Sequence, residues 1–496
     1  MNMTKNVKMK KDMQAYWESL PEVQSVLKEK VTADPWRLTY HQMPVTGWLN
    51  DPNGAVQFNG TYHLYHQYVP ETPNGGATHW GHKTSKDMVH FKEEAIFLSP
   101  DQLFDEDGVY SGSAFVHDDK IHFFYTGNVK HEGDHDYTYS GREQNTIHVV
   151  SPDGFTVESR EVVIAHADYP AGYTDHIRDP KVFEHEGVYY MILGARTRNN
   201  LGHILLYRSD DLYEWSYQGV FSAGNEDQGF MWECPDYFEL DETGILLFSP
   251  QGLLPEKHAY HNPHTVGYLT GQINWDDFKF EVSEETTGEG QAWPAFRELD
   301  RGFDFYAPQT FEDECGRRIL WAWMGIGDTE PEYSNPTVAR GWQHAMALPR
   351  QLTLENGRLL QRPLPEYQCL RHNIKTHRLS EIDESTLKGE VYELMLEFDE
   401  APSSFELTLR QDTQLTYQDG LLTLKHGESG FGRRKRMIPL ADLSQLQIFS
   451  DTSSLEIFIN DGEYVMTSRV YPKQDQQLIH VKGDAQGQIT YWDLKL

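Results

Sequence analysis

The sequence predicts an all-β fold: a five-bladed β-propeller followed by a C-terminal β-sandwich, with a short helical N-terminal extension. From residue 35 to the end of the chain, aromatic and β-branched segments alternate with Gly, Asn and Asp turns, which is typical of β-structure. Up to about residue 350 these segments repeat at a nearly constant spacing, and from about residue 352 the repeat stops. The change indicates two β-domains of different architecture.

The repeating unit starts at a polar residue and contains a short strand, an acidic or Gly turn, and a longer apolar strand. Its five copies begin "DPNGAVQF" at Asp51, "SGSAFVHD" at Ser111, "DPKVFEHE" at Asp179, "ECPDYFEL" at Glu233 and "DFYAPQTF" at Asp304. Five units of this kind fill residues 36–350 and predict a five-bladed propeller with four strands per blade. A pair of ordinary β-sandwiches is the alternative, but it does not account for a common register.

A second marker has the same period. An aromatic residue ends a later strand of each unit, and successive markers lie 64, 60 and 63 residues apart, at Phe91, Phe155, Trp215 and Phe278. The chain is therefore expected to divide into a helical extension (1–34), a propeller (35–351), a linker (352–374) and a sandwich (375–496). Pro21 lies within the helical spacing of the extension and allows two short helices instead of one.

Composition and charge limit the possible partners. The 43 basic and 76 acidic residues give a net charge of −33, which disfavours binding to nucleic acid or to an anionic membrane surface. Three Cys residues are too few for a disulfide framework, and neither a signal peptide nor a long apolar segment is visible. We therefore expect a cytoplasmic protein, and we interpret the run "RRKR" (Arg433–Arg436) as a solvated turn.

Propeller geometry brings distant carboxylates together. The first strand of each blade lines the central channel, so Asp51, Asp179 and Glu233 are expected to meet at one mouth of that channel. Carboxylates in an aromatic-rich funnel favour glycoside hydrolysis, in which one acts as nucleophile or base and another as general acid. The acid must retain its proton near neutral pH, so we expect burial or a neighbouring charge to raise its pKa. No metal or other cofactor is required, and His63, His66, His79 and His82 are interpreted as packing or hydrogen-bonding residues.

At these residues the sequence resembles glycoside hydrolase family 32, which contains invertases, sucrose-6-phosphate hydrolases and fructanases. The blocks "WLNDPNG" (Trp48–Gly54), "IRDP" (Ile177–Pro180) and "ECP" (Glu233–Pro235) are similar to the three signature blocks of that family. Four further segments also match family blocks: "YSGSA", "WGHKTSKDMVHF", "DFYAPQTF" and "ARGWQHAMALPRQLTL". The resemblance extends from about residue 36 to the C-terminus.

The resemblance implies retaining hydrolysis of terminal β-D-fructofuranosides on a propeller with a C-terminal sandwich. Asp51 then matches the nucleophile, Glu233 the general acid/base, and Asp179 the residue that stabilises the transition state. Arg178 matches a partner that orients Glu233. The remaining expected substrate-binding residues are Trp48, Leu49, Asn50, Gln67, Tyr110 and Ser111.

The resemblance leaves the exact substrate open. Sucrose and sucrose 6-phosphate are the leading expectations, with a small-molecule sugar as the partner and a homo-oligomer as a possible assembly. One departure from the family pattern is Gly75, which replaces an expected Trp at the pocket rim. Alternatives are an exo-fructanase acting on short fructo-oligosaccharides, an inverting arabinosidase or xylosidase, and a non-catalytic carbohydrate-binding propeller.

Overall fold

A computed structural model describes residues 11–283, 293–330, 332–383 and 386–496. The described chain begins with one helix, α1 (Lys11–Thr32), which continues through Pro21 instead of dividing there. Residues 1–10 of the predicted extension lie outside the described residues. Within the described ranges, no helix has the length and apolar character that crossing a membrane requires.

Five consecutive antiparallel sheets follow the helix. The strands of the first two are β1 (Gly47–Phe58), β2 (Thr61–Val69), β3 (His79–Ser85), β4 (Lys92–Glu93), β5 (Val109–His117), β6 (Lys120–Lys130), β7 (Arg142–Ser151) and β8 (Ser159–Ile164). The strands of the next two are β9 (Tyr173–His185), β10 (Val188–Thr197), β11 (Gly202–Ser209), β12 (Ser216–Ala223), β13 (Met231–Leu240), β14 (Thr243–Gln251), β15 (Gly267–Asn274), β16 (Lys279–Val282) and β17 (Arg297–Glu298). The fifth region has β18 (Tyr306–Glu312), β19 (Arg318–Met324), β20 (Trp342–Gln343), β21 (Ala345–Met346), β22 (Arg350–Glu355) and β23 (Arg358–Pro363).

The five sheets are arranged as blades around a central channel. The innermost strands β1, β5, β9, β13 and β18 contact one another in that order, and β18 contacts β1. Strand β20, which follows the first two strands of the fifth blade, pairs in parallel with β1 through Gly47 and Trp342. This pairing joins the last part of the propeller to the first and closes the ring.

Two six-stranded sheets form the C-terminal domain. Its strands are β24 (Arg371–Arg378), β25 (Leu387–Lys388), β26 (Tyr392–Phe398), β27 (Ser404–Leu409), β28 (Thr413–Gln418), β29 (Leu421–His426), β30 (Lys435–Pro439), β31 (Gln445–Asp451), β32 (Ser454–Ile459), β33 (Tyr464–Arg469), β34 (Leu478–Gly483) and β35 (Gly487–Leu494). One sheet has the order β24-β35-β26-β31-β32-β33 and the other β25-β34-β27-β28-β29-β30. Together with the propeller and α1, this sandwich confirms the predicted all-β fold.

The segment predicted as a linker contains regular structure. Strands β22 and β23 pair with each other, and β22 pairs with β19, so both belong to the fifth blade. The propeller sheet therefore continues to Pro363, and the 3₁₀ turn Pro365–Leu370 leads directly into β24 of the sandwich. The periodic marker did not reveal these strands because their residues contain no copy of the repeating unit.

Buried ion pairs fix the sandwich against the propeller. The Arg433 side chain has no solvent exposure, and its Nε and Nη2 each donate to Asp304 at 2.7 Å. The expected solvated turn at "RRKR" is therefore wrong for Arg433, because a carboxylate of the fifth blade binds it in the domain interface. Asp304 accordingly has a structural role. The predicted catalytic carboxylates at the channel mouth come from other blades.

Candidate active site

The five innermost strands share one local irregularity at the same end of the channel. Each inner strand has a register shift against its neighbour close to the polar residue at which its repeat begins. Such β-bulges change the direction of side chains and are frequent beside active sites. Asp179, Cys234 and Ala307 have positive φ angles of 64°, 48° and 48°, and each precedes a proline. This strained conformation turns the neighbouring side chains towards the channel mouth.

Aligning the five bulges gives two sets of residues. The first set contains the residues that precede the bulge position: Asn50, Tyr110, Arg178, Glu233 and Tyr306. The second set contains the bulge residues themselves: Asp51, Ser111, Asp179, Cys234 and Ala307. Glu233 therefore occupies the same position as Arg178 and Tyr306, one residue before the position of Asp51 and Asp179. Its predicted alignment with Asp51 and Asp179 is wrong by that one residue.

Nine of these ten residues line a single cavity of about 310 Å³ at the channel mouth. The complete lining is Asn50, Asp51, Gln67, Tyr110, Ser111, Arg142, Arg178, Asp179, Glu233, Cys234, Gln251, His264, Tyr306, Trp323, Gly327 and Asp328. The volume is enough for a small sugar, and the wall combines carboxylates, amides and aromatic rings. All three predicted catalytic carboxylates face this cavity.

Asp51 is held by hydroxyl and amide donors. The Ser111 hydroxyl donates to Asp51 Oδ2, and Asn50 Nδ2 donates to Oδ1 at 3.1 Å. Burial raises the pKa of Asp51 to about 6, although the hydrogen bond from Ser111 acts in the opposite direction. Glu233 adds a smaller rise through charge repulsion. Asp51 is thus ionised above about pH 6 and has a free lone pair for attack.

Cys234 connects Asp179 with Asp51. The Cys234 backbone N–H donates to Asp179 Oδ2 at 2.9 Å, and its Sγ lies 3.6 Å from the same oxygen and 4.0 Å from Asp51 Oδ2. Burial raises the pKa of Asp179 to about 7; Arg178 opposes the rise and Glu233 adds to it. Burial also raises the pKa of the Cys234 thiol well above its ordinary value, so the thiol remains a neutral hydrogen-bond donor.

Glu233 is bound by three side chains from three different strands. Arg178 donates to Oε1 through Nη2 and, at 3.0 Å, through Nε; Gln251 and Tyr306 donate to Oε2 at 2.7 and 2.6 Å. Burial raises the pKa of Glu233, but the Arg178 charge and the Tyr306 hydroxyl outweigh it and lower the pKa below its ordinary value. The expected rise in the pKa of the general acid is therefore wrong for Glu233, because these donors stabilise its carboxylate.

Four of the predicted substrate-binding residues, Trp48, Asn50, Gln67 and Ser111, form one hydrogen-bonded chain beside Asp51. Asn50 Nδ2 also donates to Gln67 Oε1 at 3.0 Å, and Gln67 Nε2 donates to Ser111 Oγ at 2.6 Å. Trp48 Nε1 donates to Asn50 Oδ1 at 2.8 Å, so Trp48 orients Asn50 instead of lining the cavity. This chain fixes the donors and acceptors on one side of the cavity.

Leu49 does not belong to the site. Its side chain is fully buried in a hydrophobic cluster with Tyr40, Leu64 and Met346, away from the cavity wall. Side chains alternate along a strand, so Leu49 must point away from the face that presents Trp48 and Asn50. The expectation that Leu49 binds substrate is wrong for this reason.

The rim contains the predicted departure from the family pattern. Gly75 has a φ of 78°, and a Cβ atom at this position would lie 3.9 Å from the Trp48 ring. A side chain at residue 75 would thus contact the tryptophan that orients Asn50. With Gly at position 75, the indole of Trp48 packs edge-on against His344, with ring centroids 4.5 Å apart.

Several residues of the cavity wall are absent from the predicted site. Tyr306 had a usable signal, because "YAP" repeats the pattern of "RDP" and "ECP" and aligns Tyr306 with Arg178 and Glu233. The other missed residues, which come from second or third strands and from loops without a repeated motif, are Arg142, Gln251, His264, Trp323, Gly327 and Asp328. Across the described ranges, no group of three or more His, Cys, Asp and Glu side chains is arranged to hold a metal ion.

Comparisons with known proteins agree with this architecture. The model of the glycosyl hydrolases family 32 N-terminal domain matches residues 41–363, and the model of the family 32 C terminal matches residues 366–493. The chain is 41% identical over 452 residues to the sucrose-6-phosphate hydrolase of Bacillus subtilis (strain 168), which covers 89% of this chain and 90% of that protein. It is 38% identical over 492 residues to the sucrose-6-phosphate hydrolase of Staphylococcus xylosus, at 95% and 94% coverage.

Solved structures give the same result. The sucrose-6-phosphate hydrolase from Lactobacillus gasseri superposes with a TM-score of 0.86 at 31% identity and 96% coverage of both chains. A β-fructofuranosidase mutant of Bombyx mori in complex with sucrose superposes with a TM-score of 0.81 at 28% identity, covering 96% of this chain and 98% of that one. The chain therefore belongs to glycosyl hydrolase family 32.

Proposed function

We propose that this protein hydrolyses terminal β-D-fructofuranosides with retention of configuration, acting on sucrose or sucrose 6-phosphate through a fructosyl-enzyme intermediate. The observation that supports the proposal most strongly is the different environment of two carboxylates in one cavity. Asp51 accepts hydrogen bonds from neutral donors and remains free to attack, whereas Glu233 is oriented by Arg178, Gln251 and Tyr306. Retaining glycosidases require such a pair of a nucleophile and a general acid/base.

In the first step, an Asp51 carboxylate oxygen attacks C2 of the fructosyl unit. The bond between C2 and the glycosidic oxygen breaks, and Glu233 transfers its proton to that oxygen, which leaves as a hydroxyl of the glucosyl unit. The products of this step are a fructosyl ester of Asp51 and the Glu233 carboxylate. Asp179 accepts hydrogen bonds from fructose hydroxyls and stabilises the positive charge that develops on the ring.

In the second step, a water molecule takes the place of the leaving sugar. The Glu233 carboxylate removes one proton from this water, and the resulting hydroxide attacks C2 from the face opposite the ester. The ester bond breaks, which releases fructose and restores the Asp51 carboxylate and the protonated Glu233. Two inversions at C2 give net retention.

The reaction needs a proton on Glu233 and none on Asp51, yet the raised pKa of Asp179 and the lowered pKa of Glu233 favour a proton on Asp179 over one on Glu233. We propose that substrate moves this proton. Fructose hydroxyls that donate to Asp179 favour its ionised form, and a sugar that excludes water from Glu233 favours its neutral form. Both effects transfer the shared proton from Asp179 to Glu233 when substrate binds.

The names of the relatives support the choice of substrates. Proteins that are 41% and 38% identical to this chain are sucrose-6-phosphate hydrolases, and a raffinose invertase of Escherichia coli is 35% identical over 485 residues. A cytoplasmic location, where sugars phosphorylated on entry accumulate, remains part of this proposal. Assembly into a homo-oligomer remains a proposal as well.

The test compares fructose release from sucrose, sucrose 6-phosphate and a fructo-oligosaccharide series at equal concentrations, in the presence of methanol as a second acceptor. Retention predicts methyl β-D-fructofuranoside as the transfer product, and the α-anomer would contradict the mechanism. Asp51→Asn and Glu233→Gln should abolish fructose release without changing the unfolding temperature. Asp118→Asn is a matched control, because it removes a carboxylate that is 87% exposed on a hairpin turn. Near-normal activity in both cavity variants would refute the assignment.

A further inference from the structure

We propose that Arg142 forms a subsite for a phosphate monoester in the outer part of the cavity, and that this subsite selects sucrose 6-phosphate over sucrose. The inference rests on the proposed function, since the phosphate is that of the leaving glucosyl unit. Three observations support it: the position of Arg142 relative to the general acid, its lack of a neutralising partner, and a guanidinium N–H that has no acceptor.

Arg142 lies in the same cavity wall as Arg178, the partner of Glu233, and close enough for the two arginine charges to interact. It is the first residue of β7, and alternation along the strand places it on the same face as Gln144. Gln144 Oε1 accepts a hydrogen bond from Arg178 Nη1 at 3.3 Å, and Arg178 in turn binds Glu233. Arg142 therefore lies close to Arg178, on the side of the cavity that carries Glu233. The hydrogen-bonded chain of substrate-binding residues lies beside Asp51.

The charge of Arg142 is not neutralised by an ion pair. Of the two arginines in the cavity wall, Arg178 pairs with Glu233, but no carboxylate of the described residues lies within 4.0 Å of the Arg142 guanidinium. The nearby Asp175 instead accepts a hydrogen bond from the Arg142 backbone N–H at 3.2 Å. The side-chain contact of Arg142 is with His176, whose Nε2 lies 3.4 Å from Nη1. Burial lowers the pKa of His176, and the charges of Arg178 and Arg142 lower it further, so His176 is neutral.

The Nε–H group of Arg142 is buried and donates to no side-chain or backbone acceptor of the described residues. A buried donor without an acceptor costs about 1–3 kcal/mol, and the position of Arg142 in the cavity wall makes this N–H group a candidate for ligand binding. A guanidinium presents its N–H groups in a planar fork that matches the oxygens of a phosphate. In a protein with a net charge of −33, an anionic substrate also needs a local cation inside a cavity that contains four carboxylates.

Steady-state kinetics of Arg142 variants on two substrates test the inference. Arg142→Gln should lower kcat/KM for sucrose 6-phosphate by about 10- to 100-fold more than kcat/KM for sucrose, as expected for loss of a charge-assisted hydrogen bond to the phosphate. The inhibition constant of glucose 6-phosphate should rise by a similar factor, and that of glucose should not change. Arg142→Lys should restore part of the discrimination because it keeps the charge.

Arg196→Gln is the matched control. Arg196 lies on strand β10 outside the cavity, donates to Asn200 at 3.0 and 2.8 Å, and stacks on Phe230. This variant should retain the wild-type preference for the phosphorylated substrate and the wild-type inhibition by glucose 6-phosphate.

Two results would overturn the subsite. One is an equal loss of kcat/KM on both substrates in Arg142→Gln, which indicates a structural role. The other is a wild-type enzyme that treats both substrates alike and binds glucose 6-phosphate no better than glucose; this second measurement stands even if the variants do not fold. In either case fructose release by the wild type leaves the proposed function intact, whereas a wild type that releases no fructose from either sugar refutes the proposed function itself.

Discussion

Replacing Tyr306 by Phe removes a single hydroxyl from the contacts of Glu233. The hydroxyl donates to Glu233 Oε2 at 2.6 Å in a buried site, and a hydrogen bond to a charged group contributes about 1.5–3 kcal/mol. The Glu233 carboxylate forms during the first chemical step, so the lost stabilisation appears in the transition state. We therefore expect kcat to fall by about 10-fold or more.

The pH dependence of kcat distinguishes this role from a general loss of structure. The hydroxyl stabilises the ionised form of Glu233, so its removal raises the pKa of that carboxyl in the enzyme–substrate complex. Glu233 must be protonated for the first step, and the basic limb of kcat should consequently move upward by about one to two pH units. Initial rates of fructose release at saturating substrate, measured across the pH range, provide this profile.

Tyr65→Phe is the control for Tyr306→Phe. It deletes an equally buried hydroxyl, which donates to the backbone oxygen of Gly154 at 2.7 Å outside the cavity. This control should leave both kcat and its basic limb unchanged. A Tyr306→Phe enzyme with lower kcat but an unshifted basic limb would refute the conclusion that Tyr306 stabilises the Glu233 carboxylate.

Three further predictions concern the free enzyme and the fold. The value of kcat/KM should rise with pH through about pH 6, as Asp51 loses its proton. It should fall above about pH 7, as the three carboxylates lose the proton held by Asp179. A flat profile between pH 5 and 8 would contradict both directions. Arg433→Ala should lower the free energy of unfolding by about 3–5 kcal/mol in urea titrations, because it leaves Asp304 buried and unpaired. Leu49→Ala should lower the free energy of unfolding by about 2–5 kcal/mol while KM stays near the wild-type value. A large rise in KM would show that Leu49 contributes to substrate binding.

The repeat made much of the fold and part of the site predictable. A residue at the start of an inner strand must reach the same mouth of the channel in every blade, so the positions of Asp51, Ser111 and Asp179 followed from register alone. Glu233 was placed one residue out of register, because a bulge adds a residue that the sequence pattern does not distinguish from a regular strand. Tyr306 precedes the same kind of bulge, but the predicted start of the fifth repeat lies two residues earlier, at Asp304, which hides its alignment with Arg178 and Glu233.

Other residues depend on contacts that no local pattern encodes. The charges of "RRKR" resemble a solvated turn, and only the packing of the sandwich on the fifth blade brings Arg433 to Asp304. Gln251 and Arg142 lie on strands outside the innermost ring, so the register argument does not include them. The lowered pKa of Glu233 likewise results from Arg178 and Tyr306 together, and their joint contact with Glu233 becomes visible only in three dimensions.

Mass spectrometry of the Glu233→Gln variant incubated with β-D-fructofuranosyl fluoride, whose fluoride leaves without a proton from residue 233, tests the central claim most directly. Without a base to activate water, the second step is slowed, and any ester that forms should persist through rapid acid quenching. The proposed mechanism predicts an adduct with the mass of one fructosyl unit, located on the peptide that contains Asp51 and absent from Asp51→Asn. An adduct on another residue, or methanol transfer that yields the α-anomer with no adduct on Asp51, would contradict it.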